Sequence, residues 1–159
     1  MMRYNKEGVT MFQKIIKTKV GNLLICSNNK GITKVTFCDD QEIDTRENKW
    51  ILQCEKELYE YIDKKRKNFS VPLDMKGTAF QIKVWNALCQ IPYGETKSYK
   101  DIAREINNPK AYRAVGMANH KNPICILVPC HRVIGTNGEL VGYAGGIEYK
   151  ELLLNLEKE

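Results

Sequence analysis

Residues 124–135 read ICILVPCHRVIG, and the rest of the chain can be interpreted outward from them. Five apolar, largely β-branched residues precede Pro129, and the run resumes at Val133, which predicts a short strand buried on both faces. Because proline cannot donate to a sheet ladder, the thiol behind it is expected at a strand end or bend, where a reactive group can reach a pocket. Cys130 and His131 are therefore the first candidates for chemistry.

Cys130 can act as a nucleophile if a neighbouring base or cation favours its thiolate, because a free thiol is mostly protonated near neutral pH. His131 and Arg132 are the candidates. On a regular strand, consecutive side chains point to opposite faces, so pairing of Cys130 with His131 requires a bend or a bridging water. A cysteine protease is a poor interpretation, because its histidine lies far away in sequence and His120 is the only other histidine here.

The composition is ordinary for a globular protein. The 159 residues are 43% hydrophobic and 28% charged, enough for one sizeable core or one core plus a small satellite domain. No apolar run approaches the length of a membrane span, and the N-terminal MMRYNKEG lacks the apolar core of a signal peptide, so we expect a cytoplasmic protein without a membrane partner. Six cysteines without a CxxC pair, and only two histidines, predict reduced thiols and neither a metal nor another cofactor.

The net charge of +6 is unevenly distributed. Residues 97–132 hold seven Lys or Arg against two acidic residues, a local charge of +5. Such a segment beside a candidate nucleophile indicates a polyanionic partner such as nucleic acid, since each Lys or Arg on a phosphate releases a counterion. A solvated basic face is the alternative, and charge alone favours it.

The first half of the chain predicts a small antiparallel sheet followed by a helix. Residues 11–19, 22–27 and 32–37 are β-prone runs separated by turn signals. Apolar residues at helical spacing then predict an amphipathic helix over residues 47–66.

The extended stretch NFSVPLDMKG at residues 68–77 is the expected domain boundary. It would separate an N-terminal α/β domain, residues 1–76, from a C-terminal domain, residues 77–159. The predicted fold class is α+β: the small sheet with its helix, then a mostly helical domain with a helix-turn-helix and a short strand carrying Cys130.

The second half of the chain contains three signals for the start of a helix. Thr78 with Gln81 fits a capping box, Ser98 caps a second helix through Asn107, and Asn108 with the proline behind it opens a third. The last two helices, basic outside and alanine-rich inside, resemble a helix-turn-helix, although many helical pairs share this pattern.

The chain closes with a predicted helix over residues 147–156. Glu157 then lies at the helix C-terminus, where a carboxylate is unfavourable to the helix dipole unless another group holds it.

Further motifs run in a fixed order through residues 77–157. They are Gly77-Thr78-x-Phe80-Gln81-x-x-Val84-Trp85, Ile91-Pro92-Tyr93-Gly94-Glu95-Thr96, Asn108-Pro109-Lys110-Ala111 with Arg113-Ala114-Val115-Gly116, Asn122-Pro123, Pro129-Cys130-His131-Arg132-Val133 and Gly142-Tyr143-x-Gly145-Gly146. Together they resemble the O6-alkylguanine-DNA alkyltransferases, also called methylated-DNA protein-cysteine methyltransferases. Residues 1–76 match that family only in coarse architecture.

The resemblance implies a single-turnover DNA repair reaction. Cys130 would attack the alkyl carbon on O6 of guanine in double-stranded DNA, with O4-alkylthymine as a second candidate substrate, and the protein would be consumed as a thioether. The family histidine that polarises the cysteine through water matches His131, and the glutamate that holds it matches Glu157. Asn122 matches the residue that organises the turn beneath the cysteine, and Tyr99 the one that assists the departing base.

The resemblance also implies a monomer that flips the target base out of the minor groove, at a cost of about a few kcal/mol. Arg113 matches the finger that fills the vacated space, on a helix that enters the minor rather than the major groove. Tyr143 and the Ala144 amide would face the base, and the carbonyls of Cys130 and Val133 would accept from its amino group. The remaining predicted DNA contacts are Lys100, Asn108, Thr136 and Arg132.

Two residues depart from the family pattern. Asn107 stands where glycine is common, and asparagine tolerates the left-handed conformation that a helix end requires. Cys125 falls in the predicted pocket region, where it is a determinant of which alkyl groups fit, a second oxidisable thiol or simply a core residue.

Two other classes of protein stay open. An alkyltransferase-like binding module would recognise lesions without chemistry, but such modules lack the acceptor that Cys130 supplies. A helix-turn-helix regulator would explain the basic segment and leave residues 129–132 and Glu157 unexplained.

Overall fold

The structure is a computed structural model that describes residues 3–4, 10–141, 143 and 146–158. The chain divides into two compact units, Met1–Met75 and Lys76–Glu159. The first unit holds a sheet and a helix, and the second is mostly helical. This agrees with the predicted α+β fold class.

The first unit is built on an antiparallel sheet in the order β1-β2-β3-β4. Its elements are β1 (Arg3–Tyr4), β2 (Thr10–Thr18), β3 (Gly21–Ser27), β4 (Ile32–Cys38) and helix α1 (Lys49–Ile62). The sequence predicted β2 to β4 within a residue or two and did not predict the two-residue β1. Leu23, Ile25 and Val35 of the sheet are fully buried, as are Ile51 and Leu58 of α1, so the apolar stripe of the helix contributes to the core.

Helix α1 is shorter than the predicted 47–66 because both of its ends are set by local contacts. The Asn48 side chain caps the start by accepting from the Ile51 amide at 3.0 Å. At the other end Lys64 adopts a left-handed conformation with φ of 62°, which ends the helix at Ile62.

Among its described residues, the second unit contains four α-helices and one pair of very short parallel strands. Its elements are α2 (Ala79–Leu88), β5 (Lys97–Ser98), α3 (Tyr99–Glu105), a 3-10 turn (Pro109–Ala111), α4 (Tyr112–His120), a second 3-10 turn (Cys130–Arg132), β6 (Val133–Ile134) and α5 (Ile147–Leu156). Lys97 pairs with Val133 and Ser98 with Ile134. The buried Trp85 indole of α2 donates to the Ala118 carbonyl of α4 at 2.8 Å and so ties these helices together.

The helix starts follow the predicted caps. The Thr78 hydroxyl accepts from the Gln81 amide at 3.1 Å while the Gln81 side chain accepts from the Thr78 amide at 2.9 Å, which is a complete capping box. Ser98 forms the same arrangement with Asp101 at the start of α3. The proline after Asn108 opens a 3-10 turn rather than the helix itself, and Asn107 has the expected left-handed φ of 59°.

The predicted strand before Pro129 is wrong. Residues 125–127 form turns, and Ile126 has a φ of 73°, which an extended strand excludes. The apolar residues there are buried because the turn lies inside the core, and the Asn122 side chain provides hydrogen bonds that sheet neighbours would otherwise supply. Cys130 consequently lies in a 3-10 turn immediately before the short strand β6.

The longest helix that the structure describes, α1, has 14 residues. Across residues 3–4, 10–141, 143 and 146–158, no helix combines the length and the apolar character that crossing a bilayer requires.

The capping box of α2 provides a stability test. We expect Thr78→Ala to lower the free energy of unfolding by about 1 kcal/mol, because the Gln81 amide loses its acceptor. Urea denaturation followed by circular dichroism measures the loss. Lys83→Ala on the exposed face of the same helix is the control, and an equal effect of the two substitutions would contradict the capping role.

Candidate functional site

The turn that carries Cys130 is held from below by Asn122. The Asn122 amide group donates to the Val128 carbonyl at 2.8 Å and to the Ile124 carbonyl at 3.4 Å, and its oxygen accepts from the Ile124 amide at 2.9 Å. Asn122 is buried, and it also hydrogen-bonds to the Cys130 sulfur. One side chain thus fixes the backbone before Cys130 and contacts the thiol.

His131 forms a buried pair with Glu157 at the end of α5. Its Nε2 lies 2.7 Å from Glu157 Oε2, and both side chains are within 1% of full burial. The same carboxylate accepts from Arg132 Nε and Nη2, each at 2.8 Å, and from the Gly94 amide at 3.2 Å. Glu157 therefore has enough donors to remain ionised although it is buried.

Burial lowers the pKa of His131, and the Arg132 and Lys150 charges lower it further, against the opposing effect of Glu157. The imidazole is therefore neutral at neutral pH. Because a carboxylate only accepts, the proton lies on Nε2 and the lone pair on Nδ1. Nδ1 is buried and makes no hydrogen bond to any residue that the structure describes. This nitrogen is the one able to accept a proton.

Cys130 is 1% exposed and shares a hydrogen bond with Cys125, which is 2% exposed. The hydrogen bond with Cys125 and then burial raise the pKa of Cys130 well above that of a free thiol, while Asn122 and Lys150 lower it. Cys130 is consequently a thiol at rest. Its use as a nucleophile requires that a base take the proton during the reaction.

Lys150 is a buried cation that the sequence analysis missed. It is fully buried on α5, and its ammonium group donates to the carbonyls of Val133 and Val141, the second at 2.8 Å. Burial lowers the pKa of Lys150 to about 8. Its charge acts on Cys130 and His131 alike.

Tyr99 lies at the start of α3 beside this cation, with the Lys150 nitrogen 6.0 Å from its ring centre. Its hydroxyl donates to the Val141 carbonyl at 2.8 Å. Burial raises the pKa of Tyr99, with a further contribution from Cys130, whereas a hydrogen bond from Asn119 lowers it. Asn119 is buried and also donates to the Cys130 carbonyl at 3.4 Å. It therefore links Tyr99 to the turn Cys130–Arg132, called the reactive turn below.

The predicted DNA contacts fall into two groups. Arg113, Lys100, Asn108 and Thr136 are exposed. Arg113 also lines a cavity of about 420 Å³ together with Tyr99, Tyr112, Gly116, Met117, His120 and Val141.

The second group is buried, and it comprises Tyr143, Val133 and Arg132. Arg132 places Nε and Nη2 on Glu157 and Nη1 on the Ile91 carbonyl at 2.7 Å, which leaves its predicted contact with DNA without support. Ala144 lies outside the described residues.

Across the described part of the chain, no three His, Cys, Asp or Glu side chains converge as ligands for a metal ion. The residues that the structure does bring together are a neutral imidazole and a buried carboxylate, and the imidazole directly follows Cys130 in the chain.

Two family models match the chain, and both describe the 6-O-methylguanine DNA methyltransferases. The DNA-binding domain of that family matches residues 79–159, and its ribonuclease-like domain matches residues 11–75. This chain belongs to the 6-O-methylguanine DNA methyltransferase family.

Relatives within the family are similar over nearly the whole chain. A methylated-DNA–protein-cysteine methyltransferase of Methanosarcina mazei is 47% identical and covers 93% of this chain and 98% of its own length. The crystal structure of the Mycobacterium tuberculosis O6-methylguanine methyltransferase has a TM-score of 0.85 at 41% identity, covering 93% of each chain. A crystal structure of the M. tuberculosis protein in complex with DNA has a TM-score of 0.84 at 42% identity, covering 92% of each chain.

A sequence signal for Lys150 did exist in this member of the 6-O-methylguanine DNA methyltransferase family. Lys150, Leu153 and Glu157 are spaced by three and four residues, so they lie on one face of α5. Once Glu157 is assigned to the interior, the same periodicity brings Lys150 inside. Asn119 gave a weaker signal, as one polar residue next to Ala118 on the inner face of α4.

Lys150 gives a pH-dependent test. Because burial lowers its pKa from 10.5 to about 8, the unfolded protein binds more protons than the folded one between these values. The contribution of Lys150 to the free energy of unfolding therefore rises from pH 8 to pH 10.5 and is lost as the pH falls back through this window.

We expect Lys150→Met to remove this rise, because methionine binds no proton. Urea denaturation of both proteins at several pH values across the window measures the difference in slope, and Lys83→Met controls for loss of a surface charge. Equal slopes for the wild type and Lys150→Met would contradict the assignment.

Proposed function

We propose that this protein repairs DNA by transferring an alkyl group from O6-alkylguanine in double-stranded DNA to Cys130. The transfer is irreversible and stoichiometric, so each molecule reacts once, as a methylated-DNA–protein-cysteine methyltransferase. The observation that carries the proposal is that Cys130 directly precedes a neutral histidine, His131, whose Nε2 is hydrogen-bonded to the buried carboxylate of Glu157. Membership of the 6-O-methylguanine DNA methyltransferase family supports it.

The proposed reaction begins with the thiol proton. His131 Nδ1 takes this proton from Cys130, through a water molecule, while Glu157 stabilises the imidazolium that forms. The Cys130 sulfur attacks the alkyl carbon, the bond between that carbon and O6 breaks, and the sulfur retains the alkyl group as a thioether. The proton leaves with the guanine, so the two products are S-alkylcysteine and unmodified guanine in DNA.

Positive charge around the sulfur favours this step. Lys150 lowers the pKa of Cys130 through its charge, without transferring a proton. Tyr99 is assigned to the leaving base, where its hydroxyl would donate a hydrogen bond as negative charge develops. Asn122 keeps the turn and the sulfur in place.

The target atom lies inside a duplex, so the base has to leave the stack. We assign helices α3 and α4 to a helix-turn-helix that enters the minor groove, with Arg113 filling the space left by the flipped base. The cavity of about 420 Å³ beside Arg113 and Tyr99 supports this assignment. Lys100, Asn108 and Thr136 are exposed and assigned to phosphates.

Tyr143, the Ala144 amide and the carbonyls of Cys130 and Val133 are assigned to the flipped base. We assign DNA binding and alkyl acceptance to residues 77–159 and propose a monomer. Activity on O4-alkylthymine and a cytoplasmic location stay predictions.

The acceptor can be identified by mass. Incubation of the reduced protein with duplex DNA containing O6-methylguanine should add one methyl group, located on Cys130 by peptide mapping. We expect Cys130→Ser to gain no methyl group and still to bind DNA, because the phosphate contacts lie elsewhere. Cys89→Ser, which removes an exposed thiol, is the matched control and should react as the wild type does.

An unchanged mass with tight binding to the lesion would replace the proposal with a lesion sensor. Binding to undamaged sequence without any preference for the lesion would favour a regulator. Methylation of the Cys130→Ser protein would assign the acceptor to another residue.

Arg113 has a test that separates base flipping from chemistry. We expect Arg113→Ala to slow repair of duplex DNA by roughly tenfold or more, since flipping costs a few kcal/mol and each 1.4 kcal/mol is a factor of ten. Reaction with free O6-benzylguanine should keep its rate, because no base has to be flipped. Arg113→Lys keeps the charge and isolates the effect of side-chain shape, and equal losses on both substrates would refute the finger role.

A further inference from the structure

A second buried thiol lies against the proposed acceptor. The side chains of Cys125 and Cys130 hydrogen-bond to each other, and both residues are almost completely buried. Both thiols are reduced in the structure. The proposed transfer uses only Cys130, so it assigns no role to Cys125.

The backbone between the two cysteines is tightly turned. The Leu127 amide donates to the Cys125 carbonyl at 2.8 Å, and the Cys130 amide donates to the Val128 carbonyl at 2.8 Å. Ile126 between them has a φ of 73°, a costly conformation for a β-branched residue. Both cysteines therefore lie in one tightly turned, buried segment.

The surroundings of Cys125 favour its thiolate. The hydrogen bond with Cys130 lowers the pKa of Cys125 against the opposing effect of burial, and the nearby Tyr143 side chain lowers it further. A thiolate next to a second sulfur is the species that closes a disulfide. Cys26 and Cys54 are also buried, but burial raises the pKa of each of these thiols.

We propose that Cys125 and Cys130 are a reversible oxidation site, at which a peroxide converts the two thiols into an intramolecular disulfide. The sulfur of one cysteine displaces hydroxide from the peroxide and becomes a sulfenic acid. The other sulfur then attacks it, and the S–S bond forms as water leaves. Overall, two thiols and one hydrogen peroxide give one disulfide and two waters, and the peroxide is the oxidant.

This site has a consequence for the proposed repair reaction, and that part of the inference rests on the proposed function. A sulfur held in a disulfide cannot accept an alkyl group. A disulfide is restored by a thiol reductant, whereas a sulfinic acid is not. Cys125 would thus keep an acceptor that works only once from being lost to oxidation before it meets a lesion.

The test is peptide mapping of the full-length protein after hydrogen peroxide treatment. Trypsin releases residues 122–132 as one fragment that contains Cys125 and Cys130 and no other cysteine. After denaturation in iodoacetamide, we expect the fragment from reduced protein to carry two labels. The fragment from oxidised protein should carry none and be lighter than the unlabelled dithiol by two hydrogens.

Treatment of the oxidised protein with dithiothreitol should restore both iodoacetamide labels. It should also restore the ability of each protein molecule to accept one methyl group from DNA. Cys125→Ala is the decisive variant: under the same peroxide treatment its Cys130 should proceed to sulfinic acid, which dithiothreitol does not reverse. Cys89→Ser should behave as the wild type does.

A wild-type fragment with Cys125 still labelled and Cys130 oxidised to sulfinic acid would overturn the proposal. Recovery of Cys125→Ala by dithiothreitol equal to that of the wild type would overturn it as well. The disulfide is detected by the mass of a wild-type fragment and needs no DNA. Failure of the oxidation proposal is therefore distinguishable from failure of the proposed alkyl transfer.

Discussion

The buried carboxylate of Glu157 is the constraint on which the second unit depends. It accepts from His131, twice from Arg132 and once from the Gly94 amide, so it joins the end of α5, the reactive turn and the loop after α2. A buried charge is costly unless its partners are complete, and removing one partner of such a pair costs about 3–5 kcal/mol. Arg132 and the Gly94 amide therefore hold the carboxylate in the position from which it orients the imidazole of His131.

The charge balance around Cys130 follows from this arrangement. Arg132 is neutralised by Glu157, whereas Lys150 is bonded to two neutral carbonyls and keeps its full charge when protonated. Burial keeps His131 neutral, with the Arg132 and Lys150 charges acting in the same direction, while the Lys150 charge lowers the pKa of Cys130. A neutral imidazole can therefore lie next to Lys150 and Cys130, because burial disfavours its charged form and the charges of Arg132 and Glu157 oppose each other.

The sequence predicted the elements whose signals are local. The capping box at Thr78 and the helix cap at Ser98 depend on residues close in sequence and were correct, and the strands β2 to β4 followed from β-prone runs and turn residues. The strand predicted before Pro129 was wrong because a continuous apolar run indicates that a segment is buried but not which backbone conformation it has. A buried turn held by the Asn122 side chain has the same apolar composition as a buried strand. The pairing of His131 with Glu157 came from the resemblance to a family, because 26 residues separate them and spacing alone could not pair them.

The two-residue pairing of β5 with β6 has a mechanical consequence. Ser98 pairs with Ile134 and directly precedes Tyr99, while Lys97 pairs with Val133, three residues after Cys130. Main-chain pairing thereby joins the start of α3 to the strand that directly follows the turn of Cys130. Movement of the start of α3 is therefore transmitted to the main chain that follows Cys130 without passing through a side chain.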